Sequence, residues 1–181
     1  MKRQDLDHIL RAAGDLTGHT EFVLVGSNAI FAWHDKVPSP MMLSREADLY
    51  AADVSDEEAE EIADRLEDIG QLSNFDDTHG YYVDGVGPQT AVLPPEWRAR
   101  SKKYRSNATN GVTAIVPHPQ DIAASKLYAG REKDHDWVSA ALQAGFVDAA
   151  SLAEVIRNWG ELAEDRRQHM LQAIVRLRRE R

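Results

Sequence analysis

The chain has 181 residues, a net charge of −9, 43% hydrophobic residues and no cysteine. This suits a single-domain globular protein, and it excludes disulfides, thiol catalysis, iron–sulfur clusters and cysteine-bound zinc. No apolar run reaches membrane-spanning length and MKRQDLDHIL lacks the apolar core of a signal peptide, so a cytoplasmic protein without a membrane partner is expected.

Leu6, Ile9, Leu10 and Ala13 recur at helical spacing, which predicts a helix over 5–16 that Gly14 and Gly18 loosen and end. Glu21–Gly26 (EFVLVG) reads as a buried strand. Ser27 follows it directly and is placed to cap a helix through Trp33. Two prolines make 35–40 a loop, and a second strand is centred on 47–51. Ser55 opens an acidic helix with Ile62, Leu66 and Ile69 on its buried face. The stretches 79–86 and 90–93 read as paired strands joined by a glycine-rich turn at 85–87. Pro94-Pro95 breaks the sheet and can open a helix at Glu96. Residues 112–116 form another strand, and helices follow over 119–129, 132–144, 151–159 and 161–179. The order predicts an α/β (α+β) fold, a small mixed sheet flanked by helices with a C-terminal helical bundle. The division expected is a core over 1–117 and a helical part over 118–181 packed on it.

The charge is unevenly placed. Residues 1–97 carry a net −14 and residues 98–181 a net +5. The bases gather at Arg98, Arg100, Lys102, Lys103 and Arg105, and in the tail at Arg166, Arg167, Arg176, Arg178, Arg179 and Arg181. The overall acidity therefore does not exclude a polyanionic partner.

The chemistry-bearing residues begin at Val25-Gly26-Ser27, where a strand runs into a glycine, a hydroxyl and a helix start, a context that favours phosphate. Glu46 and Asp48 are two apart on a predicted strand and so face the same way. Two adjacent carboxylates are tolerable around a divalent cation, and hard oxygen ligands suit Mg²⁺. Asp84, in Tyr81-Tyr82-Val83-Asp84-Gly85, is either a third carboxylate or the start of a turn. Lys126 lies among small and apolar helix residues, so its ammonium needs a polar partner; a triphosphate, Asp134, Glu46 and Asp48 are the candidates. No paired-histidine or HExxH motif is present, and no Gly-Lys-Ser/Thr follows the glycines at 80–87.

In this order the motifs resemble those of the nucleotidyltransferase superfamily with the DNA polymerase β-type fold. The pattern is a strand ending in hG[GS], a strand with [DE]h[DE]h and a third acid on a later strand. The segment Ser125-Lys126-Leu127-Tyr128-Ala129-Gly130-Arg131-Glu132-Lys133-Asp134 further resembles a motif of AbiE-type toxins and related bacterial minimal nucleotidyltransferases. The resemblance spans about residues 20–145. It departs from the pattern in having Glu46 where Asp is commoner, a longer gap between Gly26 and Glu46, and no basic residue just after Ser27.

The resemblance implies a Mg²⁺-dependent (or Mn²⁺-dependent) enzyme that transfers a nucleoside monophosphate from an NTP to a hydroxyl. Glu46, Asp48 and Asp84 would hold the metal, Gly26 and Ser27 would cradle the phosphates and Lys126 would neutralise them. Asp134 would be needed for activity, orienting Lys126 or the acceptor. It further implies an RNA acceptor such as a tRNA end, contacted by the run 98–105, and a cognate antitoxin protein as partner. The alternatives are a binding or regulatory module that keeps the fold without the chemistry, and a transferase acting on a small molecule such as an antibiotic.

Overall fold

A computed structural model describes residues 1–179; Glu180 and Arg181, the end of the basic tail, lie outside the described residues. Helix α1 (Arg3–Thr17) leads into β1 (Glu21–Val25), a 3-10 turn (Ser27–Ala29) and the single turn α2 (Ile30–Trp33). After a loop come β2 (Glu46–Ala51), α3 (Asp56–Leu66), α4 (Asn74–His79) and β3 (Tyr82–Gly85). The short α5 (Trp97–Arg100) precedes β4 (Lys102–Tyr104) and β5 (Thr113–Val116). Four helices complete the chain: α6 (Pro119–Ala129), α7 (Glu132–Gln143), α8 (Ala149–Arg157) and α9 (Glu164–Arg179). The strands form one mixed sheet in the order β3-β2-β1-β5-β4, with β1 antiparallel to β2 and parallel to β5, β2 parallel to β3, and β4 antiparallel to β5. The expected mixed sheet flanked by helices is therefore present.

The two faces of the sheet are covered differently. Phe22, Leu24, Ala47, Leu49, Ala51, Val83, Ala114 and Val116 point into one cluster of buried side chains that also takes in residues of α1, α3 and α6–α9. The alternate residues, Val23, Val25, Tyr50, Ala52, Val86 and Ile115, form a smaller cluster against which Ala91, Leu93 and Trp97 pack. Strand alternation puts Glu46 and Asp48 on this second face with Tyr50.

Two local expectations fail. Residues 90–93 are not a strand, and the 85–87 turn of a hairpin does not exist: Gly85 belongs to β3 itself, and 86–96 crosses the second face without regular structure. The alternating pattern at 90–93 marks a segment half-covering the sheet, not one paired to it. Gly85 is glycine because α3 packs there, and a Cβ would stand 2.8 Å from the Ala63 carbonyl. The predicted helix at Ser27 is also shorter than expected. Gly26 occupies the cap position, and Ser27 makes no capping hydrogen bond.

Candidate functional site

The site lies where β1 ends and β2 and β3 begin. Register fixes its carboxylates: Val25 pairs with Asp48, Asp48 with Asp84, and Glu46 with Tyr82. Asp48 and Asp84 thus stand side by side on neighbouring strands, and Glu46 lies two residues along from Asp48. The reading of Asp84 as a turn-starting residue is replaced by its place in β3.

These acids face a cleft of about 450 Å³ lined by Gly26, Ser27, Glu46, Asp48 and Asp84 on the sheet side and by Lys126, Arg131, Lys133 and Asp134 on the helical side. Thr90–Leu93 form its outer wall, with Pro117, Ile122, Tyr128 and Ala129 supplying further apolar surface. Every predicted site residue lines this one cleft.

Burial first, and then the charges of Glu46 and Asp84, push the Asp48 carboxyl up to about 7, with Lys126 opposing. Asp84 is raised by burial and by Glu46. Glu46 goes the other way. Burial works against its charge, but a Ser44 side-chain hydrogen bond, backbone hydrogen bonds and Lys133 together hold its carboxyl below the ordinary value. The strand register therefore crowds three carboxylates with too little positive charge, a donor set that fits a divalent cation. Among the described residues no group of three or more Asp, Glu, His or Cys is gathered as a ready-made cation cage.

The opposite wall is a buried ion network. Lys126 Nζ donates to Ser27 Oγ at 2.9 Å and to Asp134 Oδ1 at 3.2 Å, and lies 5.2 Å from the centre of the Trp137 ring. Arg131 grips the same carboxylate with Nε on Oδ2 at 2.6 Å and Nη2 on Oδ1 at 3.2 Å. Asp134 is completely buried. Burial alone would raise its pKa, but the Arg131 hydrogen bonds and Lys126 hold it below the usual carboxylate range. Burial depresses the pKa of Lys126, and Asp134 partly restores it. Of the alternatives for Lys126, the structure supplies Asp134 as a direct partner, and it adds Ser27, which was not among them.

The sequence reading gave no role to Arg131, Lys133 or Asn28. Arg131 is three residues before Asp134 at the start of α7, a spacing at which ion pairs form on a helix, so this signal was available. Asn28 left none, because its partners are backbone atoms 16 and 18 residues away.

The basic run 98–105 is largely engaged elsewhere. Arg98 pairs with Asp53 at 2.7 Å, Arg100 with the fully buried Asp121 at 2.7 Å, and Lys103 with Glu21 at 2.6 Å. Lys102 lies over the Trp33 ring at 4.5 Å, and Trp97 packs against the smaller core cluster. The basic groups lining the cleft are Lys126, Arg131 and Lys133, while Arg166 lies against the lining residue Tyr128, its Nη1 2.8 Å from that carbonyl. No helix among the described residues is long and apolar enough to cross a membrane.

A family model described as a nucleotidyltransferase of unknown function (DUF6036) matches residues 4–178. Neither the curated proteins nor the solved structures contain a match to this chain.

Proposed function

Because the chain belongs to this nucleotidyltransferase family, we propose that it transfers a nucleoside monophosphate from an NTP to a hydroxyl acceptor in the cleft between β2 and α6–α7. The observation that carries this reading is the meeting of Glu46, Asp48 and Asp84 with Gly26, Ser27, Lys126 and Arg131 in one cleft. Three crowded acids facing bases suit a substrate that brings its own cation and several negative charges.

Glu46 and Asp48 would hold Mg²⁺ or Mn²⁺, with Asp84 beside them. When bound, the cation would supply positive charge to offset that of the phosphates and ease ionisation of the attacking hydroxyl. Gly26 and Ser27 would cradle the phosphates at the end of β1, with the Ser27 hydroxyl held beside Lys126 Nζ. Lys126 and Arg131 neutralise the triphosphate, while Asp134 keeps both in place. Asp84, at the exposed end of the carboxylate row, takes the acceptor proton. The acceptor oxygen bonds to the α-phosphorus as the bond to the bridging oxygen breaks, and pyrophosphate leaves. The residues contribute by positioning and charge compensation.

The acceptor in this reading is RNA, such as a tRNA end, held by Arg131, Lys133 and Arg166 rather than by 98–105. The setting is the bacterial cytoplasm, where the enzyme acts as a toxin restrained by an antitoxin protein. Incubating the purified protein with each labelled NTP, Mg²⁺ and total tRNA tests this. Label on tRNA that disappears in Asp48→Ala supports it. Nucleotide binding without transfer to RNA or to small hydroxylated molecules points to a regulatory module. Transfer to an aminoglycoside in place of RNA points to an antibiotic-modifying enzyme. No binding and no transfer overturns the reading.

A further inference from the structure

The β1–β2 ladder ends at Val25–Asp48, because Gly26 turns the chain away with φ +74°. Residues 44–46 therefore run on without a strand beside them on the β1 side. On the β3 side they are held: the Arg45 carbonyl accepts from the Tyr82 amide at 3.2 Å. Alternation points the carbonyls of Ser44 and Glu46 the other way, towards the missing strand. Asn28 fills that gap. Its Nδ2 donates to the Glu46 carbonyl at 2.7 Å and to the Ser44 carbonyl at 3.1 Å. The residue is completely buried, and its Oδ1 has no partner. A buried carboxamide left half-satisfied costs stability, so the two donated bonds are the interactions that hold it there.

We propose that Asn28 is a positioning residue for the candidate site: its side-chain amide substitutes for a strand backbone and sets Glu46 in line with Asp48 for cation binding. This rests on the nucleotidyltransferase reading above. Asn28 follows Ser27 directly, so the residue that places the first carboxylate is fused to the Gly-Ser turn. Phosphate and cation ligands are thereby tied together directly, with the end of the 34–45 loop pinned at Ser44.

The test is a double-mutant cycle read by Mn²⁺ binding, with the free ion followed by electron paramagnetic resonance, with and without ATP. Wild type, Asn28→Ala, Glu46→Gln and the double variant are compared, with thermal melting alongside. Asn28→Ala is expected to weaken Mn²⁺ binding about tenfold or more, the scale of losses when a ligand's supporting hydrogen bonds are removed. In the Glu46→Gln background the same change should cost less than about twofold, because the group it positions no longer binds, while the drop in melting temperature stays the same. Should Asn28→Ala fail to fold, Asn28→Ser, which keeps one donor, takes its place in the cycle. Wild-type Mn²⁺ affinity in a folded position-28 variant overturns the proposal, as does an equal loss in both backgrounds, the mark of a purely structural residue. A wild-type protein that binds neither Mn²⁺ nor ATP overturns the nucleotidyltransferase reading itself, and this proposal with it.

Discussion

The Asp48 carboxylate occupies the space in which a side chain at residue 26 would lie. A Cβ built on Gly26 would overlap Asp48 Oδ2 and stand 2.8 Å from its Cγ, and Gly26 has φ +74°. Glycine is thus required twice, once by backbone conformation and once by its neighbour across the ladder. Gly26→Ala is expected to destabilise the fold by about 1–3 kcal/mol from strain at this position. It should also displace Asp48, so nucleotide binding by calorimetry falls in protein that remains folded by circular dichroism. Gly87→Ala, where a Cβ meets nothing within 4 Å, is the control and should leave both unchanged.

The crowding at Asp48 sets a pH dependence. Its carboxyl rises from 3.8 to about 7 on folding, so between those values the folded protein holds a proton that the unfolded chain has released. Stability then falls as pH rises from about 4 to 7 and levels off above. Asp48→Asn removes this slope. By urea denaturation without divalent cations, the variant should gain about 2 kcal/mol on wild type between pH 5 and pH 8. A wild-type protein as stable at pH 8 as at pH 5 would contradict it.

Asp134 carries the opposite sign. Its depressed carboxyl contributes stability that is complete above the unfolded pKa and is lost as pH falls through the lower folded value. Asp134→Asn leaves the buried Lys126 without its counter-charge and should cost about 3 kcal/mol at pH 7. The acid limb of wild-type unfolding should be shallower in the variant. Equal acid limbs would mean that other carboxylates dominate.

The run 98–105 separates into residues with different weights. Arg100 holds the fully buried Asp121 through Nε at 3.1 Å and Nη2 at 2.7 Å. Arg100→Gln should therefore cost about 2–4 kcal/mol in chemical denaturation. Lys103→Ala breaks an exposed pair with Glu21 and should change stability by less than about 0.5 kcal/mol. RNA retention on a filter should fall more for Arg131→Ala with Lys133→Ala than for Lys103→Ala. The reverse order would return the RNA contact to 98–105.

What the sequence made legible follows from the range of the interactions. Periodicity marked α1 and α3, because amphipathic spacing is written in neighbouring residues, whereas α6 is buried on nearly all sides. The Glu46–Asp48 pair was legible for the same reason, as alternation along one strand fixes a shared face. Asp84 remained ambiguous, since only the β2–β3 register decides between strand and turn. The 90–93 segment misled because its half-covered apolar residues alternate like those of a paired strand. The basic run looked available for RNA until its partners Asp53, Asp121 and Glu21 were seen, all distant in sequence. Arg131 and Lys133 sat in the motif unassigned, and Asn28 acts on main-chain atoms that no side-chain pattern reports.

The parallel pairing of β2 with β3 sets Asp48 opposite Asp84. This makes the tolerance of the chain to insertions sharply uneven. One residue added between Tyr82 and Asp84 would turn the acid towards α3 and bring an apolar neighbour to the cleft. Residues added at the exposed Glu67–Asp68 or Gln71–Leu72 positions, in the connection before α4, would leave the strand alternation untouched. Length can drift in that connection, while the three residues Tyr82–Asp84 are held to a count.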